Sequence, residues 1–126
     1  MEYTLHQLKE EIEQEVHRIL NWWRTYAPDM IYGGFAGEIN QSNQHIPGAH
    51  KGSVLNARIL WTFSAAYGEF KNEKDKLLAV RAYEYTAQKF YDTAYSGVFW
   101  SLNSDGTIQN DRKQIYAIAF TIYGLS

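Results

Sequence analysis

One charged side chain, Arg58, stands inside an eighteen-residue run, Lys51 to Gly68 (KGSVLNARILWTFSAAYG), whose other interior residues suit burial. A guanidinium keeps its proton in any protein environment, so enclosing it demands partners or a polar ligand. Its planar fork grips vicinal oxygens and stabilises developing oxyanions, which fits a hydroxyl-rich ligand at the mouth of a cavity. The competing assignment is a structural arginine, paired with a carboxylate or capping carbonyls from another part of the chain. On a helical wheel Arg58 shares a side with Val54, Leu55, Trp61, Thr62 and Ala65. Tyr116 is the second candidate, because a displacement of 62 residues maps Val54 onto it, about one turn before the level of Arg58. If equivalent helices run side by side, Arg58 and Tyr116 face one lumen. Trp61 and Trp100 are candidate stacking groups for sugar rings; for these two and for Tyr116 the alternative role is core packing.

Other chemistries find less support. The four histidines, His6, His17, His45 and His50, form no metal-ligand pattern. Glu38, Asp105 and Asp111 fall near predicted loops with no pair held at a helical spacing; Asp105 reads as a turn residue and Asp111 as an acid at a helix N-terminus. The chain has no cysteine, which removes thiolate catalysis, disulfides and cysteine-bound zinc. It carries neither a G-x-S-x-G elbow nor a phosphate or dinucleotide loop. These residues therefore supply a binding surface without an identifiable general base. A net charge of −2 gives no reason to expect nucleic acid or an acidic membrane as partner. The acidic, amphipathic start (MEYTLHQLKEEIEQEV) is unlike a secretory signal, and no apolar run reaches spanning length, so a cytoplasmic protein is expected.

The elements that must position Arg58 and Tyr116 are mostly helices. Residues Thr4 to Tyr26 predict an amphipathic helix, with Leu5, Leu8, Ile12, Val16, Ile19 and Trp23 as its inward stripe, Thr4 as N-cap and Pro28 just past its end. Tyr32–Asn40 (YGGFAGEIN) predicts a glycine-opened extended arm, followed by a polar loop. A second helix is predicted from about Gly52 to Tyr67. A third runs from Glu73 to Phe90, burying Leu77, Leu78, Ala82, Tyr85 and Phe90. After Tyr95–Asn103 (YSGVFWSLN) and a turn at Ser104-Asp105-Gly106, a fourth helix is predicted from near Asp111.

The pattern repeats. Tyr32, Gly34 and Asn40 recur 63 residues later as Tyr95, Gly97 and Asn103, and Lys51 recurs 62 residues later as Lys113. Each unit is an amphipathic helix, a short β-like excursion and a helix apolar nearly all round, a composition normally covered on every side. Such a repeat reads as an all-α toroid or solenoid with buried helices inside and amphipathic helices outside. The aromatic fraction of 16% serves a large core and can also line a sugar-binding cleft. Two repeats do not close a ring, and stacked repeats need about three for stability. The expectation is that residues 1–126 are the N-terminal part of a single, longer domain; the alternative is a small helical domain completed by self-association.

The string K-G-x-x-L-N-A-R-I-L-W-x-F-S-x-A-Y (Lys51–Tyr67) resembles the cellobiose 2-epimerases of the N-acylglucosamine 2-epimerase superfamily. The similarity continues through Ala82–Tyr85, Gly97–Ser101, Asp105-Gly106, Lys113, Tyr116, Ala119-Phe120 and Ile122-Tyr123, so it covers essentially the whole chain. It implies an (α/α)6 barrel of which this chain is about the first third, in two helix-hairpin repeats with short β excursions. The implied reaction inverts C2 at the reducing end of β-1,4-linked disaccharides, cellobiose to glucosyl-mannose or lactose to epilactose, through a cis-enediolate. The resemblance makes Arg58 the arginine that contacts the reducing-end oxygens and supports the enediolate, and Tyr116 a tyrosine of the same pocket. It implies no metal or redox cofactor. The two catalytic histidines of the family lie in later repeats and match none of the four here, so the chain alone is expected to be inactive. The implied partners are a disaccharide substrate and the remaining C-terminal repeats of the same barrel; oligomeric state is left open. Two enzymatic alternatives keep the fold, an aldose–ketose isomerase and an N-acylglucosamine 2-epimerase. A third, non-enzymatic alternative is a helical-repeat interaction module with Arg58 merely structural.

Overall fold

The computed structural model describes residues 3–126; the first two positions of the expected domain and of the non-signal start lie outside the described residues. Four helices dominate, in the order α1 (Leu5–Tyr26), β1 (Lys51–Gly52), α2 (Ser53–Phe70), α3 (Glu73–Tyr85), a wider helical turn at Thr86–Phe90, β2 (Ser101–Leu102), β3 (Ile108–Asn110) and α4 (Ile115–Leu125). The start of α1 follows from its sequence: Thr4 accepts a bond from the Gln7 amide, and the Gln7 side chain accepts one from the Thr4 amide in return. Asn72 caps α3 in the same manner through the Lys74 amide. α4 begins at Ile115, later than expected, because Asn110 ends β3 and Arg112 is held against the Asn110 side chain. Asp111 therefore precedes the helix and is not its N-terminal acid.

The β excursions are shorter than the sequence suggests. In the first unit the extended arm is reduced to isolated bridges, Pro28 to Phe35 and Ile39 to His45. In the second, Tyr91 bridges Val98 and only Ser101–Leu102 forms a strand. The strands assemble across the units in the antiparallel order β1-β2-β3, pairing Lys51 with Leu102 and Ser101 with Asn110. Ser53 adds two bonds to the Trp100 carbonyl, 3.1 Å from its amide and 3.0 Å from its hydroxyl, so this small sheet sets where α2 begins.

Two apolar clusters form the core. One joins α1, α2 and α3 through Leu20, Phe35, Ile59, Leu60, Phe63, Ala66 and Ala82; the other gathers Tyr85, Phe90, Val98, Leu102 and Ala117. The stripe expected on α1 is only partly used. Leu20, which is not in that stripe, is the buried residue of α1; of the stripe, Val16 and Trp23 pack against the core, and Leu5, Leu8, Ile12 and Ile19 are exposed. On α3, Leu77 is also exposed. Within the described residues the apolar helices are not covered on all sides: α2 leaves Trp61 open, and α4 leaves Ile115, Tyr116, Ile122 and Tyr123 open. There α2 has neighbours on some of its sides only.

Tyr85 shows how tightly the turns close. A Cβ at Gly34, whose φ is +63°, would lie 2.8 Å from the Tyr85 ring. The Tyr85 hydroxyl is buried without a protein hydrogen bond among the described residues, and burial, with the charges of Asp29 and Asp105, pushes its pKa up to about 12. A folded value above the unfolded one (about 10) contributes stability that is complete below that pH and is lost as pH rises through about 12. Tyr85→Phe keeps the ring and drops the unsatisfied hydroxyl. It is expected to change neutral-pH stability by less than about 1 kcal/mol while weakening the alkaline unfolding of the protein, measured by denaturant titration at pH values either side of 10.

Candidate functional site

The inner ends of the two repeats are built on one bonding pattern used twice. Asp29 accepts from the amides of Ile31 and Tyr32 through Oδ1, its own amide donates to the Gly34 carbonyl, and its Oδ2 receives Lys51 Nζ at 2.7 Å. Asp92 repeats each step: Oδ1 accepts from Ala94 and Tyr95, its amide donates to Gly97, and Oδ2 receives Lys113 Nζ at 2.7 Å. Lys51 is 1% exposed and also donates to the Gly33 carbonyl at 2.8 Å, with its ammonium over the Tyr85 ring. Burial alone would raise the Asp29 carboxyl, but the Lys51 ammonium and the amides of Tyr32 and Ile31 outweigh it and hold the group below the usual carboxylate range. Asp92 is lowered chiefly by its bond from Lys113, then by the Tyr95 and Ala94 amides. Arg81 completes the first turn by donating to the carbonyls of Gly34 and Asp29.

Each lysine sits at the entry to the helix that carries a candidate residue, Lys51 before α2 and Lys113 before α4. The two helices meet closely. A Cβ on Gly124 would lie 2.6 Å from the Ala57 carbonyl oxygen, so glycine lets α4 approach the α2 backbone. Beside that contact the rings of Trp61 and Tyr123 stack at 5.5 Å and 17°; about two turns earlier on α4, Tyr116 meets Phe120 edge to face at 4.8 Å. Trp61 and Tyr116 are 43% and 61% exposed, so these rings present open surface.

Arg58 lies on α2 toward α1. Trp61 follows it by one turn on the same side of α2, and Arg58 also lines a cleft of about 280 Å³ with Ile19, Leu20, Trp23, Leu55, Thr62 and Phe63. Arg58 is exposed. Among the described residues it has no hydrogen bond or ion pair. Arg24 and Arg81 differ, since Arg24 forks onto the fully buried Asp75 at 2.5 and 2.8 Å and Arg81 is held by carbonyls. The structural alternative thus describes Arg24 and Arg81, leaving Arg58 as a cation with a free fork. A free fork beside open aromatic faces can bind hydroxyls and stabilise negative charge on oxygen.

Trp100 occupies a different place. It packs against the second core cluster, and its backbone joins the sheet to Ser53; the packing alternative fits it better than a stacking role. No histidine lines the Arg58 cleft: His6 pairs with Glu10, His17 meets the Phe70 ring, and His45 Nε2 meets the Tyr26 carbonyl. Among the described residues no group of three His, Asp or Glu is placed to hold a metal ion, and no helix is long and apolar enough to cross a membrane.

The residues that sequence reasoning missed are Asp29 and Asp92. Lys51 and Lys113 were legible as a repeated pair; their partners were not singled out. The signal was present, because the two aspartates are 63 residues apart, the displacement already shown by Tyr32 and Tyr95.

Comparison with known proteins matches the family model described as N-acylglucosamine 2-epimerase (GlcNAc 2-epimerase) over residues 33–126. The cellobiose 2-epimerase of Bacteroides fragilis is 48% identical over 120 residues, which cover 94% of this chain and 31% of that protein. A sugar epimerase from a ruminal bacterium superposes with a TM-score of 0.86 at 34% identity, over 92% of this chain and 30% of its own. The cellobiose 2-epimerase of Spirochaeta thermophila superposes with a TM-score of 0.85 at 36% identity, over 98% and 32%. The chain thus spans about a third of the length of the curated relatives it matches. The matched structures are α/α barrels, and the helices here follow about a third of that architecture.

Proposed function

Because the chain belongs to the N-acylglucosamine 2-epimerase family, we propose that it forms the N-terminal part of a carbohydrate 2-epimerase in which Arg58 holds the reducing-end sugar. The observation that carries this reading is the free guanidinium of Arg58 one helical turn from the open ring of Trp61, which stacks on Tyr123. A pyranose or its open-chain form offers what such a surface binds, vicinal hydroxyls for the fork and an apolar ring face for the aromatics.

In the proposed reaction the sugar opens to its aldehyde. A base removes the C2 proton, and the C2–H electron pair moves into the C1–C2 bond while the carbonyl electrons collect on O1, giving a cis-enediolate. Return of a proton to the opposite face of C2 restores the aldehyde with inverted configuration. The net change is redox-neutral. Arg58 opposes the charge that grows on the enediolate oxygens, and Tyr116 and Trp61 line the same pocket. The two proton-transferring histidines implied by the family lie in later repeats, so the 126 residues by themselves are proposed to be inactive. Those repeats would also cover the open faces of α1, α2 and α4.

The test is product analysis with the full-length protein and cellobiose in D2O. Glucosyl-mannose with deuterium at C2 is the expected result. Ketose products would instead favour an aldose–ketose isomerase, which protonates C1 of the same intermediate. Failure to turn over any disaccharide, monosaccharide or N-acylglucosamine would remove the enzymatic reading and favour a helical-repeat interaction module.

A further inference from the structure

We propose that Lys113 is a positioning residue for Tyr116, acting through its tie to Asp92 at the entry to α4. This deepens the proposed function and rests on it for the role of Tyr116. Apart from the packing of Ala117 and Ile118 in the second apolar cluster, little fixes that entry. Residues 111–114 have no regular structure, and α4 begins at Ile115 without a side-chain cap. Arg112 is bonded to Asn110, its own neighbour in the chain. The Lys113 side chain is the link from this segment back to the turn of its own repeat, through Asp92 at 2.7 Å and over the Phe99 ring at 4.5 Å.

Tyr116 follows three residues later. Its recorded ring contact is Phe120 on the same helix, so the position of its ring depends on where α4 starts and how that first turn is rotated. Gly97 lies beside the link in a left-handed conformation that favours glycine, φ +75°, with the position of a Cβ in contact range of the Lys113 chain (3.4 Å) and of Ile118 (3.6 Å). Turn, lysine and first helical turn therefore pack at one point.

The two copies of the clasp differ in a way that suits different tasks. Lys51 is sealed, with two protein acceptors, and runs straight through β1 into α2. The Lys113 side chain is 31% exposed, has one protein acceptor and lies within an irregular segment. The first clasp locks the sheet, while the second joins the packing of Ala117 and Ile118 in setting the start of a helix that bears a pocket residue near its N-terminus.

The test is a double-mutant cycle in the full-length protein. Lys113→Met is expected to lower kcat/KM about ten- to hundredfold, the range in which an ångström-scale misplacement acts. In a Tyr116→Ala background the same substitution is expected to have little further effect, and Lys113→Arg, which can still reach Asp92, should retain most activity. An equal loss in both backgrounds would mean a merely structural role and overturn the proposal, as would an unchanged kcat/KM. A second arm does not depend on turnover. Amide hydrogen exchange in Lys113→Met should accelerate over residues 114–118 and stay unchanged over residues 53–57. Unchanged exchange at 114–118 overturns the proposal even if the wild type epimerises sugar. A wild type that turns over no saccharide defeats the functional reading, while the exchange arm still decides whether Lys113 sets the start of α4.

Discussion

Arg58→Ala in the full-length protein is expected to lower kcat for disaccharide epimerisation by about 10²–10³, the loss found when a preorganised donor to a developing oxyanion is removed. The expectation follows from the free state of the guanidinium. Arg58 is exposed and has no protein partner among the described residues, so truncation breaks no internal bond. Thermal unfolding of the variant should stay close to the wild type, and the loss should appear in turnover. Its distribution between kcat and KM is informative, because in the proposed reaction charge on the enediolate oxygens exists in the intermediate and flanking transition states and not in the bound sugar. A loss confined to KM would limit Arg58 to ground-state binding. Arg58→Lys keeps the charge without the fork and should recover only part of the activity. Unchanged turnover in Arg58→Ala would remove Arg58 from the site.

Lys51→Met carries the largest expected effect on stability, a loss of about 3–5 kcal/mol from leaving one partner of a buried ion pair without the other. The geometry makes that loss hard to avoid. Lys51 is 1% exposed and serves both Asp29 and the Gly33 carbonyl, so its removal orphans a carboxylate charge and one acceptor together. Adding Asp29→Asn should recover part of the loss, since the amide oxygen still accepts from Ile31 and Tyr32 while the uncompensated charge disappears. Denaturant unfolding of the full-length single and double variants measures both steps; a double variant less stable than Lys51→Met would contradict the charge argument. The same pair gives a pH dependence. The folded value of Asp29 is depressed, so its stabilisation is complete above the unfolded carboxylate value, about 3.9, and is lost as pH falls through the folded value. Lys51→Met/Asp29→Asn should lose that part of the acid sensitivity.

The helices were legible because their signals are local. Thr4 and Gln7 begin α1 within one turn, and the periodicity of α2 and α3 needs no distant partner to be read. The α3 segment even ends at the expected Phe90, although its last turn widens to carry Tyr91 N onto the Thr86 carbonyl. The 62- to 63-residue repeat was equally visible in Tyr32 and Tyr95 and in Lys51 and Lys113. Faces were less legible. Leu5, Leu8 and Ile12 have the right spacing for a buried stripe yet remain open, because spacing states which residues share a side and cannot state whether anything lies opposite.

The candidate site divides along the same line. The sequence by itself determined the residue types that matter: an arginine in an otherwise apolar helix, a tyrosine at a related position in the next unit, and two lysines in register. Only the tertiary structure decided what each does. It pairs Lys51 with Asp29 and Lys113 with Asp92 across chain segments, brings Gly124 against Ala57 so that Trp61 meets Tyr123, and leaves Arg58 with a free fork among the described residues. Helical periodicity and capping are encoded within a few neighbouring residues. Ion pairing and exposure depend on which distant segments arrive nearby, and packing alone brings them there.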